Sequence, residues 1–411
     1  MPTMTVEATG SLSTIDRDEW DALANPGWVL GEGGRLSRAA GAGPGGQPGD
    51  QAFNPFVAYD FLRALEDAGC VGGRSGWYQR HLVIKGAEGA LLGAAPAYLK
   101  THSKGEYVFD YGWADAFERA GGQYYPKLQV SVPFTPANGP RLLVGDGPDE
   151  ARLLVAQALK ALAEQSDASS VHATFLSPAD RAAFEAEGYL MRTDTQFHFT
   201  NDGYATPDDF LAALASRKRK QVKRERRDAL ADGITVRWLT GDDITEDHWD
   251  AFYQFYMDTG SRKWGRPYLN RTFFSLLGER MRHCVCLMIA EREGRPIAGA
   301  LNLIGSDALY GRYWGCTEDH PFLHFEVCYY QAIDFAIAHK LARVEAGAQG
   351  GHKLARGYEP TQTVSAHYID HPGLRDAIAR YLEGERAEVA AHQEYMNAAL
   401  PFRRDGNRHS E

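Results

Sequence analysis

The sequence predicts an α/β protein made of two tandem modules, each a mixed sheet flanked by helices, and three observations lead there. At 411 residues the chain is longer than one ordinary hydrophobic core supports, so two domains are expected. The same order of helix, hairpin and strand signals occurs twice along it. In the second occurrence a hairpin is followed by an aromatic strand, a helix and a further strand, an order that needs a parallel crossover.

Taken in order, Gly31 to Asp50 holds eight glycines and little apolar content, and reads as a long loop, either a surface insertion or a lid. FVAYDFLRALEDAG has helical apolar spacing. HLVIKGAEGALLGAAPAYLK then reads as strand, tight turn and strand, with Glu88-Gly89 at the turn and Gly93-Ala94 opening the second strand. Tyr107 to Trp113, YVFDYGW, reads as the aromatic strand that follows. The second occurrence repeats the series: TFFSLLGERM as helix, VCLMIAEREGRPIAGALNLIG as hairpin around Glu293-Gly294, with Gly299-Ala300 in the matching place, and Leu309 to Gly315, LYGRYWG, as aromatic strand. HFEVCYYQAIDFAIAHK follows as a helix and RVEAGA as a strand. Further on, Gly188-Tyr189 precedes His198-Phe199 at the spacing with which Gly357-Tyr358 precedes His367-Tyr368. Repetition of all these signals in one order points to duplication of a single unit.

Between the copies, DDFLAALASRKRKQVKRERRDALADG reads as one long helix, opened by Thr206-Pro207 and closed by Asp232-Gly233. The expected modules are therefore 1–203, carrying the Gly-rich loop, and 204–411, beginning with the basic helix.

Hydrophobic residues make up 44% and charged residues 24%, which excludes a disordered or fibrous chain. The first residues have neither a basic start nor a signal-length apolar run, and no stretch is long enough to span a bilayer; a soluble, cytoplasmic protein is expected, with peripheral membrane contact left open. Five cysteines are scattered without a CxxC pair, so reduced thiols are expected, with Cys284 and Cys286 alternating in one strand. The net charge of −10 gives no global attraction to nucleic acid or anionic lipid. The basic helix is the local exception. It carries Arg217, Lys218, Arg219, Lys220, Lys223, Arg224, Arg226 and Arg227 against one glutamate, a field suited to a phosphate-rich partner such as tRNA, to an anionic surface, or only to solvent.

A hairpin feeding a long strand, a helix and a parting parallel strand is the order of the GNAT acyltransferase fold, and two such modules in tandem resemble FemAB-type transferases. SRKRKQVKRERRDALADGITVRWL and EAGAQGGHKLARGYEP carry that resemblance. FNPFVAYDFLRALEDAG, YVFDYGWADAFERAGGQYYPKLQ, TGSRKWGRPYL and GAQGGHKLARGY are similar to a FemAB-like family of GNAT N-acyltransferases and peptidoglycan biosynthesis or recognition proteins. The resemblance spans nearly the whole chain. It implies an acyltransferase or aminoacyltransferase that forms an amide on a cell-wall precursor or small-molecule amine, with no tightly bound cofactor and with aminoacyl-tRNA or acyl-CoA as co-substrate. An acyl-CoA-dependent GNAT N-acetyltransferase and a non-catalytic recognition protein for a peptidoglycan precursor or polyanion are the alternatives. The Q/R-x-x-G-x-G/A loop that binds the pyrophosphate of CoA is replaced after Gly315 by CTEDHPFLHFE, which disfavours CoA.

Amide formation needs an uncharged amine, donors for an oxyanion and a proton route for the leaving group. Glu326, Glu345 and His324 are the candidate catalytic groups, at a helix start and in a strand. His320 and His324 also stand four apart, but Pro321 disrupts a helix spanning both, and no metal site is expected. Gly350 and Gly351 let backbone approach a ligand, and His352, Lys353 and Arg356 follow on one helical turn, a candidate phosphate or carboxylate clamp. In relatives of the family a lysine corresponding to Lys353 contacts the donor or acceptor. Tyr358, Arg312 and Trp314 are further candidate substrate- or donor-binding residues. Arg262, Lys263, Trp264 and Arg266 form a further cation and aromatic cluster suited to stacking and phosphate contact, or a packed loop. In the first copy, Asp110 and Trp113 either line a pocket or pack internally.

Overall fold

The computed structural model describes residues 4–39, 52–263, 267–348 and 350–403. Side chains of residues 260–263 and 348 are outside the description, as are Trp264 and Arg266, so the expected Arg262, Lys263, Trp264 cluster and most of the Gly-rich segment lie beyond what is described. The chain forms two compact units, each assembled from separate stretches. Unit 1 comprises 1–194, 268–284 and 362–389, and unit 2 comprises 195–267, 285–361 and 390–411. The sequence expectation was two consecutive modules meeting at 203/204.

The fold class is the one expected, α/β with mixed sheets flanked by helices. In unit 2, Thr235–Thr240, Val285–Arg292, Arg295–Ile304 and Ala308–Cys316 are successive antiparallel neighbours. Ala308–Cys316 then runs parallel to Arg343–Ala348 after a helical crossover formed by Leu323–Phe325, a π-helical turn Glu326–Tyr330 and Gln331–Ala338. In unit 1, Lys127–Val130 and Ser170–Ala173 are the parallel pair, joined by the helix Asp149–Gln165. The duplication is visible in matching contacts. Ile84 lies across from Gly93 in the first hairpin and Ile289 across from Gly299 in the second. In each case a Cβ on the glycine would lie 3.0 Å from a side chain, Val155 or Ile289, which would have to give way by a few tenths of an ångström. Tyr189 and Tyr358 each donate their hydroxyl to a carbonyl of the crossover helix in their own unit, Ala156 and Tyr329.

The strand ending each sequence copy pairs with a strand of the other copy. Gln196 to Thr200, from the strand Leu190–Thr200, pairs antiparallel with Arg343–Ala348 in unit 2. Ala366 to Ile369, from the strand Glu359–Ile369, pairs antiparallel with Ser170–Ala173 in unit 1. The exchange explains why the Gly-Tyr and His-aromatic pairs recur together: His198 is set opposite Glu345, and His367 opposite His172.

Four local expectations are corrected. YVFDYGW is not a strand: Tyr107 takes a positive φ and the helix Tyr111–Arg119 begins within it. The position of the second copy's aromatic strand is filled instead by Lys127–Val130, since Lys127 is buried against Glu106 and Asp110 and draws their loop over the sheet. The expected long basic helix is two helices, Pro207–Ala213 and Ser216–Ala229. Leu214 interrupts them because it turns fully into the core, while the backbone beside it hydrogen-bonds Pro401 and Arg403. The helix Arg271–Met281, read as part of the second copy, belongs to unit 1, where Phe273 packs edge-on against Phe61. Cys284 ends a 3₁₀ turn and only Cys286 lies in the strand, although both are buried thiols as expected.

The expected helix-end signals hold. Thr206 and Asp209 form a reciprocal capping box ahead of Pro207, and Asp232 and Gly233 both take left-handed backbone after the basic helix.

Candidate functional site

In unit 2 the parallel ladder between Ala308–Cys316 and Arg343–Ala348 stops at Tyr310 and Glu345. Beyond that point the backbone groups of the two strands are no longer paired with each other. Ala346 and Gly347 instead offer their carbonyls to Lys353 Nζ, at 2.7 and 3.1 Å. Lys353 comes from the 3₁₀ segment Gly351–Arg356, which Gly350 enters with φ +109, a conformation that favours glycine. Lys353 is 3% exposed, and its ammonium has no carboxylate partner among the described residues. Burial pushes its pKa down to about 8. An ammonium has three donors, so two carbonyls leave one N–H over.

Glu345 is equally buried. Its Oε1 accepts from Arg343 at 3.0 Å, while Oε2 has no hydrogen-bond partner and lies 3.9 Å from His198 Nε2. Glu326, by contrast, is fully enclosed, with Arg226 spanning both its oxygens and Gln331 donating to one at 2.7 Å. Burial raises its carboxyl pKa and the Arg226 guanidinium opposes that shift.

Arg356 is also held. It donates to Glu225 at 3.0 Å and to the His352 carbonyl, and stacks over Phe325 with 3.4 Å from guanidinium carbon to ring centre. Glu225, the single acid of the basic run, accepts from Tyr330 at 2.6 Å as well. His352 receives or donates a hydrogen bond with the Tyr329 hydroxyl at 3.0 Å. Tyr358 is buried at the foot of this group. Lys353 and Arg356 are thus brought together on one segment, but they face different partners rather than forming a solvated pair.

Next to this cluster, a cavity of about 360 Å³ is lined by Thr259, Trp314, His324, Phe325, Glu318 and Asp319 among others. Trp314 and His324 rings lie 5.2 Å apart at its wall. Glu318 pairs with Arg292 and His320, and its hydrogen bond from His320 lowers its pKa. Carboxylates therefore stand at the start of the crossover helix, where a phosphate-binding loop would present amides. Arg312 leans on the Tyr313 ring of its own strand.

Along the basic helix, Val222, Glu225 and Ala229 turn inward while Arg217, Lys220, Lys223, Arg224 and Arg227 are exposed. Arg226 is the structural cation, shared by Glu326 and Asp334. Lys218 and Arg219 are half-buried. In unit 1, Asp110 and Trp113 are buried: Asp110 accepts from Lys127 and Tyr124, and Trp113 packs against His367 and under Arg192. The residue that the sequence reasoning missed is His198. Its signal was present, because the spacing that revealed the duplication marks it, but a histidine in an apolar strand carries no chemistry until its partner is known.

These features define an α/β chain whose parallel strand pair in unit 2 parts beyond Tyr310 and Glu345. The chain belongs to the FemAB-like family, described as peptidoglycan biosynthesis/recognition, whose model matches residues 11–404. No curated protein matches it. Among solved structures, FemX aligns at 13% identity over 78% of this chain and 94% of that chain, TM-score 0.49. L-PGS from Bacillus licheniformis aligns at 10% identity over 82% and 99%, TM-score 0.47. A tandem GNAT protein from the clavulanic acid biosynthesis pathway aligns at 13% identity over 90% and 99%, TM-score 0.41. No helix among the described residues is long and apolar enough to cross a membrane.

Proposed function

We propose that this chain transfers an aminoacyl group from an activated ester, aminoacyl-tRNA, to an amine of a peptidoglycan precursor, forming an amide. Membership of the FemAB-like family supports the setting. The observation that carries the reaction is Lys353: a buried ammonium aligned by two backbone carbonyls, without a carboxylate partner among the described residues, at the end of the parallel ladder. A fixed cation with a spare donor is suited to the oxygen that becomes negative when an amine attacks a carbonyl, and it is in place before the charge develops. Glu318 and Asp319 beside the helix start favour an ester donor over acyl-CoA, because they oppose a pyrophosphate there. The exposed stripe of the basic helix suits the phosphates of the donor.

The test is direct. Purified full-length chain is incubated with bulk aminoacyl-tRNA, or in parallel with acyl-CoAs, and peptidoglycan precursors bearing a free amine, and amide products are read by mass spectrometry. The expected result is an added aminoacyl mass only with charged tRNA, lost in Lys353→Met while the melting temperature holds within a few degrees. Product from acyl-CoA alone, or full activity in Lys353→Met, overturns the assignment.

A further inference from the structure

We propose that His198 is the proton acceptor for the attacking amine and that Glu345 is its positioning residue. The inference rests on the transfer reaction above and extends it to a residue outside the Gly351–Arg356 segment.

Three features of the geometry lead to it. The strand carrying His198 has a register shift between Gln196 and His198, which breaks regular pairing beside Arg343–Ala348. Irregularities of this kind re-aim a side chain. His198 Nε2 faces two acceptors, Gln196 Oε1 at 3.3 Å and the unpartnered Glu345 Oε2 at 3.9 Å. A ring proton on Nε2 is donated toward these acceptors and leaves Nδ1 with its lone pair, which is the tautomer that the proposed step uses. Glu345, whose Oε2 lacks a hydrogen bond despite nine-tenths burial, is also the last residue of the parallel ladder, and the next two residues supply the carbonyls that hold Lys353. Proton acceptor and oxyanion donor are therefore set by three consecutive residues. The gap of 3.9 Å shortens when an arriving proton makes the ring a cation, as unliganded catalytic pairs commonly do.

The step balances as follows. The nitrogen of the neutral acceptor amine forms a bond to the ester carbonyl carbon, and the π pair moves to oxygen, which Lys353 receives. The N–H proton passes to His198 Nδ1. Collapse of the intermediate breaks the C–O bond, and the imidazolium returns that proton to the departing hydroxyl oxygen. Ester and amine become amide and alcohol, with His198 restored. Burial lowers the pKa of His198, so the ring is neutral and ready to accept; Glu345 raises it, and Arg343 and Lys353 lower it.

The experiment compares His198→Gln, Glu345→Gln and Lys353→Met in the full chain with aminoacyl-tRNA and precursor, following initial rates between pH 5 and 9 and melting temperature. His198→Gln is expected to lose on the order of 100-fold or more in turnover with little change in KM. Glu345→Gln is expected to move the acidic limb of the rate profile to lower pH, a response that a purely structural role does not produce, and it stands as the test should His198→Gln fail to fold. Turnover within threefold of wild type in folded His198→Gln, or an unmoved acidic limb in Glu345→Gln, overturns the proton-acceptor role; if Lys353→Met is inactive in that experiment, the transfer reaction itself stands. A wild-type chain that makes no amide from the ester overturns both.

Discussion

Lys353 is a buried ammonium held by two backbone carbonyls. Desolvation opposes its charge and places its pKa near 8, so the ammonium is present below that pH and is lost above it. If transfer needs the charge, the rate falls as pH rises through about 8. Initial rates measured from pH 6 to 10 check this, and a flat profile across that range contradicts a charged role. Glu225 works in the opposite way, as an anchor. Removing it leaves Arg356 and the Tyr330 hydroxyl without their shared partner, and breaking a buried pair costs about 3–5 kcal/mol. Glu225→Ala is therefore expected to be strongly destabilised in urea denaturation, whereas Asp228→Ala, a half-buried position paired only with its exposed neighbour Arg227, is expected to change stability far less.

At the scale of an element, the basic helix Ser216–Ala229 has two separate tasks written on its two faces. Val222, Glu225 and Ala229 attach it, and the Arg226 side chain reaches Glu326 and Asp334. The exposed cations Arg217, Lys220, Lys223 and Arg224 make no comparable ion pair among the described residues. Replacing these four with Gln should leave the melting temperature nearly unchanged, weaken tRNA binding, and flatten its salt dependence by roughly one unit of slope per phosphate contact removed. Titrations at several salt concentrations read this, and an unchanged slope removes the helix from the interface. The composition of the helix was legible in the sequence. The division between anchoring and free cations was not, because Glu326 lies one hundred residues from Arg226 and nothing in local spacing announces the pair.

The whole molecule is built by exchange of terminal strands between its two copies, and this has a consequence for where it can be cut. Unit 1 needs 268–284 and 362–389, which a fragment of residues 1–203 lacks. Such a fragment leaves Ser170–Ala173 without its partner Ala366–Ile369 and exposes His172. It is expected to be insoluble alone and recovered by co-expression with residues 204–403, read as soluble yield and amide protection of Ser170–Ala173. A soluble, protected fragment contradicts the exchange.

The sequence by itself determined the class of fold, the duplicated hairpin, the strand and crossover helix of the second copy, the capping signals, and the segment from which Lys353 comes. These follow from periodicity, turn chemistry and repetition, all of which act over a few residues. Only the tertiary structure decided that Tyr107 to Trp113 is no strand, that Glu326 is taken by Arg226, that Glu345 is left with an open oxygen, and that His198 stands opposite it. Those outcomes depend on which distant strand and which counter-ion arrive at each position, and the free energy of a buried charge is set by that arrival rather than by its neighbours in sequence.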